Sequence, residues 1–192
     1  MGTGSVGTAL AALLTAAGYR VHQGSRVPDV DQVAYEEACT ASDIVIMAIP
    51  YTAVADTLPQ LADPIGDKVL VDATNPLNDD WTPLPLDGGL SAGEVIARLA
   101  PRARVVKTFN TVFADVMTQA GLDRHGMRAT AFIAGDDDDA VDLIAQIASE
   151  IGLAPRRTGP LINARHLEGM AHLNIAIALG QGGGTDAAFV YG

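Results

Sequence analysis

Apolar positions along this chain alternate between short unbroken runs and longer stretches at helical spacing. Asp43-Ile44-Val45-Ile46-Met47-Ala48-Ile49 is such a run, the mark of a strand buried on both faces. Lys68-Val69-Leu70-Val71-Asp72, Arg104-Val105-Val106-Lys107 and Thr130-Ala131-Phe132-Ile133-Ala134 read the same way. Tyr19 to Gly24 and Ala154 to Arg157 read as shorter strands. Between them lie helical stretches. Val6, Leu10, Leu13, Leu14 and Ala17 share one face before Gly18 stops the turn. Asp31 to Ala41, a helix capped by Thr52 and running to about Leu61, and Ala140 to Ile151 follow. Ser91-x-x-Glu94 is a capping box opening a helix to Leu99. Strand and helix alternating at this spacing predict a doubly wound parallel sheet, with ligands at the carboxyl ends of its strands.

The last long element runs from about Leu161 to Leu179. Its second half, Leu173 to Leu179, is apolar almost all round, so it needs burial on most sides, and a subunit interface is expected. The reading divides the chain into a nucleotide-binding domain, 1–158, and a helical C-terminal segment, 159–192, that mediates a homodimer. Gly180-Gln181-Gly182-Gly183-Gly184 is flexible by composition.

The start of the chain carries the chemistry. Gly2, Gly4 and Gly7 spell G-x-G-x-x-G ahead of the first helix. The first glycine allows a tight turn, the second lets the backbone approach a pyrophosphate, and the third lets the helix pack on the sheet. The helix N-terminus then offers free N–H groups to phosphate. Such a turn should follow a buried strand of roughly five residues, and none precedes it in this sequence. The expectation is a fold whose first, central strand is missing through a displaced or truncated start, unless another segment fills the gap. The chain as it stands is expected to be poorly stable.

Where a dinucleotide fold meets the adenine ribose, this chain has Gly24-Ser25-Arg26 and no acid. Ser25 can donate a hydrogen bond and Arg26 can pair with a phosphate, a combination favouring NADP over NAD. The alternative is a solvated turn with a surface arginine. Ile49-Pro50 and Thr74-Asn75-Pro76 lie at strand ends. Each proline makes a rigid wall. Asn75 offers a donor and an acceptor to a carboxamide, or is simply a turn-former before proline. Asn110 and Thr111 are expected to face the cleft, and Ala114 joins the candidate cofactor-binding set. Trp81, the only tryptophan, sits in the long loop Asn78 to Gly89, as part of a lid or as an anchor.

Composition narrows the partners. The net charge of −11 argues against nucleic acid or an anionic membrane, though not against a phosphorylated ligand held locally. A single cysteine, Cys39, excludes an intrachain disulfide and suits a reducing cytoplasm. No apolar run reaches the length of a membrane span. Asp136 to Asp139 caps a helix rather than holding a metal, because consecutive residues on a helix point apart. His166 and His172 read as helix-surface or interface residues, and no catalytic Ser/His/Asp or Cys/His arrangement is evident.

Together, Gly2-Thr3-Gly4-Ser5-Val6-Gly7, Gly24-Ser25-Arg26, Ile49-Pro50, Gly135-Asp136-Asp137 and Gly159-Pro160-Leu161 with Asn163, Arg165 and Glu168 resemble the NADPH-dependent deazaflavin (coenzyme F420) reductase family. The cytosolic domains of membrane ferric reductases share the early motifs. The resemblance implies direct hydride transfer between NADP(H) and a deazaflavin stacked on it, with no acid–base residue required. It assigns Thr3, Gly4, Ser5 and Val6 to the pyrophosphate, and Ser25 and Arg26 to the 2′-phosphate. Pro50, Asn75 and Pro76 would border the nicotinamide. Two positions depart from the family pattern: Asn110, where some members have His, and Val30, where some have Lys near the 2′-phosphate. The expected function is an NADPH-dependent oxidoreductase acting on a deazaflavin, flavin or small carbonyl acceptor. The alternative is an NADP-binding redox sensor without catalysis.

Overall fold

The computed structural model describes residues 1–192. In chain order, α1 (Ser5–Ala16) leads to a two-residue parallel ribbon of β1 (Gly24–Ser25) and β2 (Val33–Ala34). Then come α2 (Tyr35–Thr40), β3 (Ile44–Met47), α3 (Val54–Ile65), β4 (Val69–Asp72), α4 (Ala92–Leu99) and β5 (Arg104–Lys107). A small hairpin of β6 (Asp123–Arg124) and β7 (Met127–Arg128) precedes β8 (Thr130–Gly135), α5 (Asp138–Glu150), β9 (Ala154–Gly159) and α6 (Ala164–Ile175). The main sheet has the order β3-β4-β5-β8-β9. Helices cover both of its faces. One apolar core joins α1 and α5 to Val69, Val71 and Val106, and the other joins α3 and α4 to Val45, Met47, Leu70 and Val105.

The sheet is mostly parallel, which corrects the expectation of an all-parallel one. β8 runs antiparallel to β5, and β9 runs parallel to β8. The reason lies in the connection: a parallel neighbour needs a crossover element, and residues 108–129 supply only a short 3-10 turn and the β6–β7 hairpin. The expected helix from Asp31 begins only at Tyr35, because Val33 and Ala34 are drawn into the ladder with Gly24 and Ser25. Thr52 makes no cap bond and lies in a 3-10 turn ahead of α3. The Ser91 capping box forms in full, and Asp137 caps α5 by accepting from the Ala140 N–H.

The expected strand Tyr19 to Gly24 forms a ladder only at its tip. Between it and β3 lies a slot of about 300 Å³ lined by Leu10, Leu14, Tyr19, Val21, Ile44 and Ile46 among others. The Met1 amine donates to the Ile46 carbonyl at 2.5 Å and the Met1 carbonyl accepts from the Ala48 N–H at 2.9 Å. Gly2 N–H donates across to the Gly24 carbonyl at 3.0 Å. No other hydrogen bond reaches that edge of β3. Met1 and Gly2 thus occupy the last rungs of a strand position between β1 and β3. The expectation that the Asp43–Ile49 run is buried on both faces is half met: Val45 and Met47 are buried, whereas Ile44 and Ile46, which line the slot, are only partly so. Burial pushes the Met1 ammonium below its ordinary value, because a charge lies where a peptide N–H fits.

At the other end, α6 continues into a π-helical turn, Ala176–Gly180. Leu173, Ile177 and Leu179 stay exposed there. Beyond the glycines the tail docks again. Phe189 O accepts from Thr130 N–H, and Phe189 and Tyr191 pack edge-on against Phe132. No helix is long and apolar enough to cross a membrane.

The slot makes a direct prediction. Five apolar, β-forming residues fused ahead of Met1 would replace the buried ammonium by a peptide N–H and pair the idle edge of β3. Each buried polar group so satisfied stabilises by about 1–3 kcal/mol. The extended chain is expected to melt at least about 5 °C above the present one in a calorimetric scan; equal melting temperatures would show that the slot does not accept a strand.

Candidate functional site

The glycine turn is built by close contacts. A Cβ on Gly2, whose φ is +102°, would lie 2.2 Å from the Ala48 carbonyl oxygen, and one on Gly7 would lie 2.3 Å from the Gly2 oxygen. Gly4 is different. Its φ is −74°, its Cβ would meet nothing, and it caps α1 without a side-chain bond. A glycine that neither backbone nor neighbours require leaves room for something else to approach. The first turn of α1 carries no acid, so its free N–H groups and positive dipole end face outward from Thr3, Gly4, Ser5 and Val6. These are features a pyrophosphate uses.

The Gly2–Gly24 bond sets the tip of β1 beside this turn. Ser25 lies there but is engaged locally: its hydroxyl donates to the Val27 carbonyl at 2.9 Å and accepts from Val27 N–H. The expected Ser25 donor is therefore already committed, and what remains is an acceptor lone pair. Arg26 is exposed and has no hydrogen-bond or ion-pair partner. Of the two, the guanidinium is the group free to meet a phosphate.

Ile49 is buried behind Gly2, and Pro50 stands exposed at the end of β3. Asn75 does not stand ready for a ligand as expected. It forms a reciprocal amide pair with Asn110: Asn75 Nδ2 donates to the Asn110 backbone carbonyl at 2.9 Å, and Asn110 Nδ2 donates to Asn75 Oδ1 at 3.0 Å. Asn110 Nδ2 also donates to the Leu167 carbonyl on α6. Pro76 is buried, and its carbonyl accepts from Leu84 N–H. Burial holds the His172 imidazole below its ordinary pKa.

A cleft of about 340 Å³ opens at this edge. It brings together Ser5 and Val6 from α1, Asn75, Asn110, Thr111 and Ala114 from the strand ends, and Ile175 and Leu179 from the last helix. Gly2, Thr3, Gly4, Ser25, Arg26, Ile49, Pro50 and Pro76 do not line it. Phe109 adopts φ +63° and turns the chain sharply after β5, which aims Asn110 and Thr111 at the cleft wall. Asn110 Oδ1 and Thr111 Oγ are buried without partners. Each such group costs about 1–3 kcal/mol until something pairs with it.

Beneath the cleft lies a buried ionic cluster that the sequence reading missed. Lys107 Nζ lies 2.8 Å from Asp72 Oδ2, 2.9 Å from Glu168 Oε1 and 2.6 Å from the Thr74 carbonyl. Glu168 also accepts from the N–H groups of Ala92 and Gly93 at the start of α4. Burial pushes the Lys107 ammonium down, but the two carboxylates together outweigh it and hold it above the ordinary lysine value. The same burial and the same carboxylates push the Tyr51 phenol up. The signal was present in the sequence: Asp72 and Lys107 each end an otherwise apolar run. A second clamp, Arg165 to Glu94 through two bonds of 2.7 Å, holds the Glu94 carboxyl down to about 2.

A Rossmann-like α/β fold with a glycine turn at its helix N-terminus marks a dinucleotide-binding protein. A family model described as NADP oxidoreductase, coenzyme F420-dependent, matches residues 1–76. The F420-dependent NADP reductase of Methanothermobacter marburgensis is 31% identical, over 91% of this chain and 88% of that protein. This chain belongs to that family of NADP oxidoreductases. It is also 32% identical to the metalloreductase STEAP3 of Rattus norvegicus, over 88% of its own length and only 35% of that longer protein. Among solved structures, a candidate F420-dependent NADP-reductase from Arthrobacter sp. FB24 superposes with a TM-score of 0.86 at 27% identity, covering 100% of this chain and 96% of that one.

The buried cluster generates its own test. Lys107→Met leaves two carboxylates facing each other in the interior, which should cost about 3–5 kcal/mol. Urea unfolding of the variant against wild type measures the loss; a loss under about 1 kcal/mol would show that the cluster is not structural.

Proposed function

We propose that this chain is an NADPH-dependent reductase that delivers hydride directly to a deazaflavin such as coenzyme F420. The observation that carries this reading is the single cleft joining Ser5 and Val6, at the phosphate-binding turn, to Asn75, Asn110 and Thr111. Bound NADPH supplies a hydride, two electrons with one proton, from its nicotinamide ring. The chain's own residues do the holding. The free N–H groups of Thr3 to Val6 take the pyrophosphate, and Arg26 takes the 2′-phosphate. The Asn75–Asn110 pair fixes one polar edge of the cleft. Asn110 and Thr111 line the same cleft. Orientation and exclusion of water then account for the rate; the one carboxylate lining the cleft, Asp115, is engaged by the Thr185 hydroxyl. The names of the archaeal and Arthrobacter relatives support the acceptor assignment. The alternative, an NADP-binding sensor, shares the turn and Arg26 but predicts binding without turnover.

A screen of oxidised coenzyme F420, free flavins and small carbonyls, read by loss of NADPH absorbance, separates the two. Turnover is expected with F420; binding of NADPH with turnover on no acceptor would favour the sensor. In the same assay Arg26→Ala should weaken NADPH by about 10- to 150-fold, the loss of one charge-assisted contact of about 1.5–3 kcal/mol. NADH should be nearly unaffected, and an equal loss for both would remove Arg26 from the 2′-phosphate.

A further inference from the structure

Three residues other than glycine adopt positive φ: Phe109, His125 and Trp81. Phe109 is 2% exposed, so burial in the core offsets its strain. His125 sits with Gly126 in the tight turn between β6 and β7, where such a backbone is ordinary. Trp81 is the unexplained one. Its φ is +67°, a region that a bulky side chain enters at a cost, yet it is 59% exposed and gains little packing in return.

The loop that carries it is well ordered. Leu77 bridges to Pro83, Asn78 N–H donates to the Thr82 carbonyl at 2.8 Å, and Trp81 N–H donates to the Asn78 carbonyl at 3.0 Å. Asn78 Nδ2 and Asp80 Oδ1 both engage Thr82. This tight turn would accept glycine at position 81 without strain. The tryptophan is therefore held against its backbone preference in a loop whose bonds do not need it. What the position does achieve is to place the indole on the wall of the 340 Å³ cleft, with Leu77 from the same loop and with Phe113 and Ile175.

We propose that Trp81 is the stacking platform for the hydride acceptor and selects a planar, fused heteroaromatic ring over a small carbonyl. This rests on the reading that the cleft receives the acceptor. The wall formed by Trp81, Leu77 and Phe113 is apolar and aromatic, and the polar residues Asn75, Asn110 and Thr111 line the same cleft. A ligand that satisfies both has a flat π-face and a polar edge with hydrogen-bonding groups. A small carbonyl could reach the polar groups but would leave the indole wet.

Trp81 is the only tryptophan, so its emission reports on the site directly. Calorimetric titration with 5-deazariboflavin, in the presence of saturating NADP, is run on the full chain and on Trp81→Gly and Trp81→Phe. The wild-type indole emission should be quenched as the probe saturates. Trp81→Gly should weaken the probe by about tenfold or more, Trp81→Phe should retain most of the affinity, and NADPH affinity should stay within about twofold in both. Trp81→Gly should also melt no lower than wild type, because the backbone strain is gone. Unchanged probe affinity in Trp81→Gly, unquenched emission at saturation, or no binding of the probe to wild type would each overturn the proposal. Failure of NADPH turnover with every acceptor, while the probe still binds on Trp81, would sink the reductase reading alone.

Discussion

The contact on which this architecture turns is the buried Lys107 ammonium between Asp72 and Glu168. It joins the ends of two neighbouring strands to the last helix, and through Glu168 to the first N–H groups of α4. Three charges leave water together, and the cost of that desolvation is recovered only because each partner is bonded more than once. The cluster carries one net negative charge, and the positive end of α4 faces it. Removing Lys107 leaves both carboxylates uncompensated, so the site edge and the helix above it depend on that one ammonium. The Arg165–Glu94 clamp reinforces the same docking at the surface. With α6 fixed in this way, Ile175 and Leu179 can close the cleft over the ends of β4 and β5.

That docking resolves an apparent electrostatic contradiction. A chain with a net charge of −11 is a poor general host for a polyanion. The phosphate-binding features are local, however. The first turn of α1 has no acid, its N–H groups are free, and Arg26 is not paired with any of the 23 carboxylates. Many acids are engaged elsewhere: Asp72 and Glu168 with Lys107, Glu94 with Arg165, Asp138 and Asp142 with Arg157. The field that a ligand meets at the turn is set by those few nearby groups, not by the sum over the surface.

What could be read in advance follows from the range of each interaction. The glycine turn, the Ser91 capping box and the Asp137 cap are short in sequence, so their physics is visible in a few residues. The order of strands and helices was legible because apolar periodicity reports burial directly. The reversal at β8 was not, because Thr130 to Ala134 is equally apolar in either direction and only its connection decides. The Asn75–Asn110 pair spans 35 residues, and the Lys107–Glu168 contact joins a strand to a helix of the C-terminal segment. In these cases a residue's role depends on a partner that no local pattern names. Ser25 shows a further limit: the residue was placed where expected, but the turn consumes the hydroxyl hydrogen it was expected to offer. Trp81 stood out by type, and only its backbone angle showed that its position is costly.

The central claim is that this cleft passes hydride directly from NADPH to an acceptor ring held against it. NADPH carrying deuterium at the transferring position of the nicotinamide, mixed with the chain and oxidised coenzyme F420, tests it in a single turnover. The account predicts that the label appears on the ring carbon of the reduced deazaflavin, undiluted by solvent protons. Label released to water, or no oxidation of NADPH at all, would contradict it.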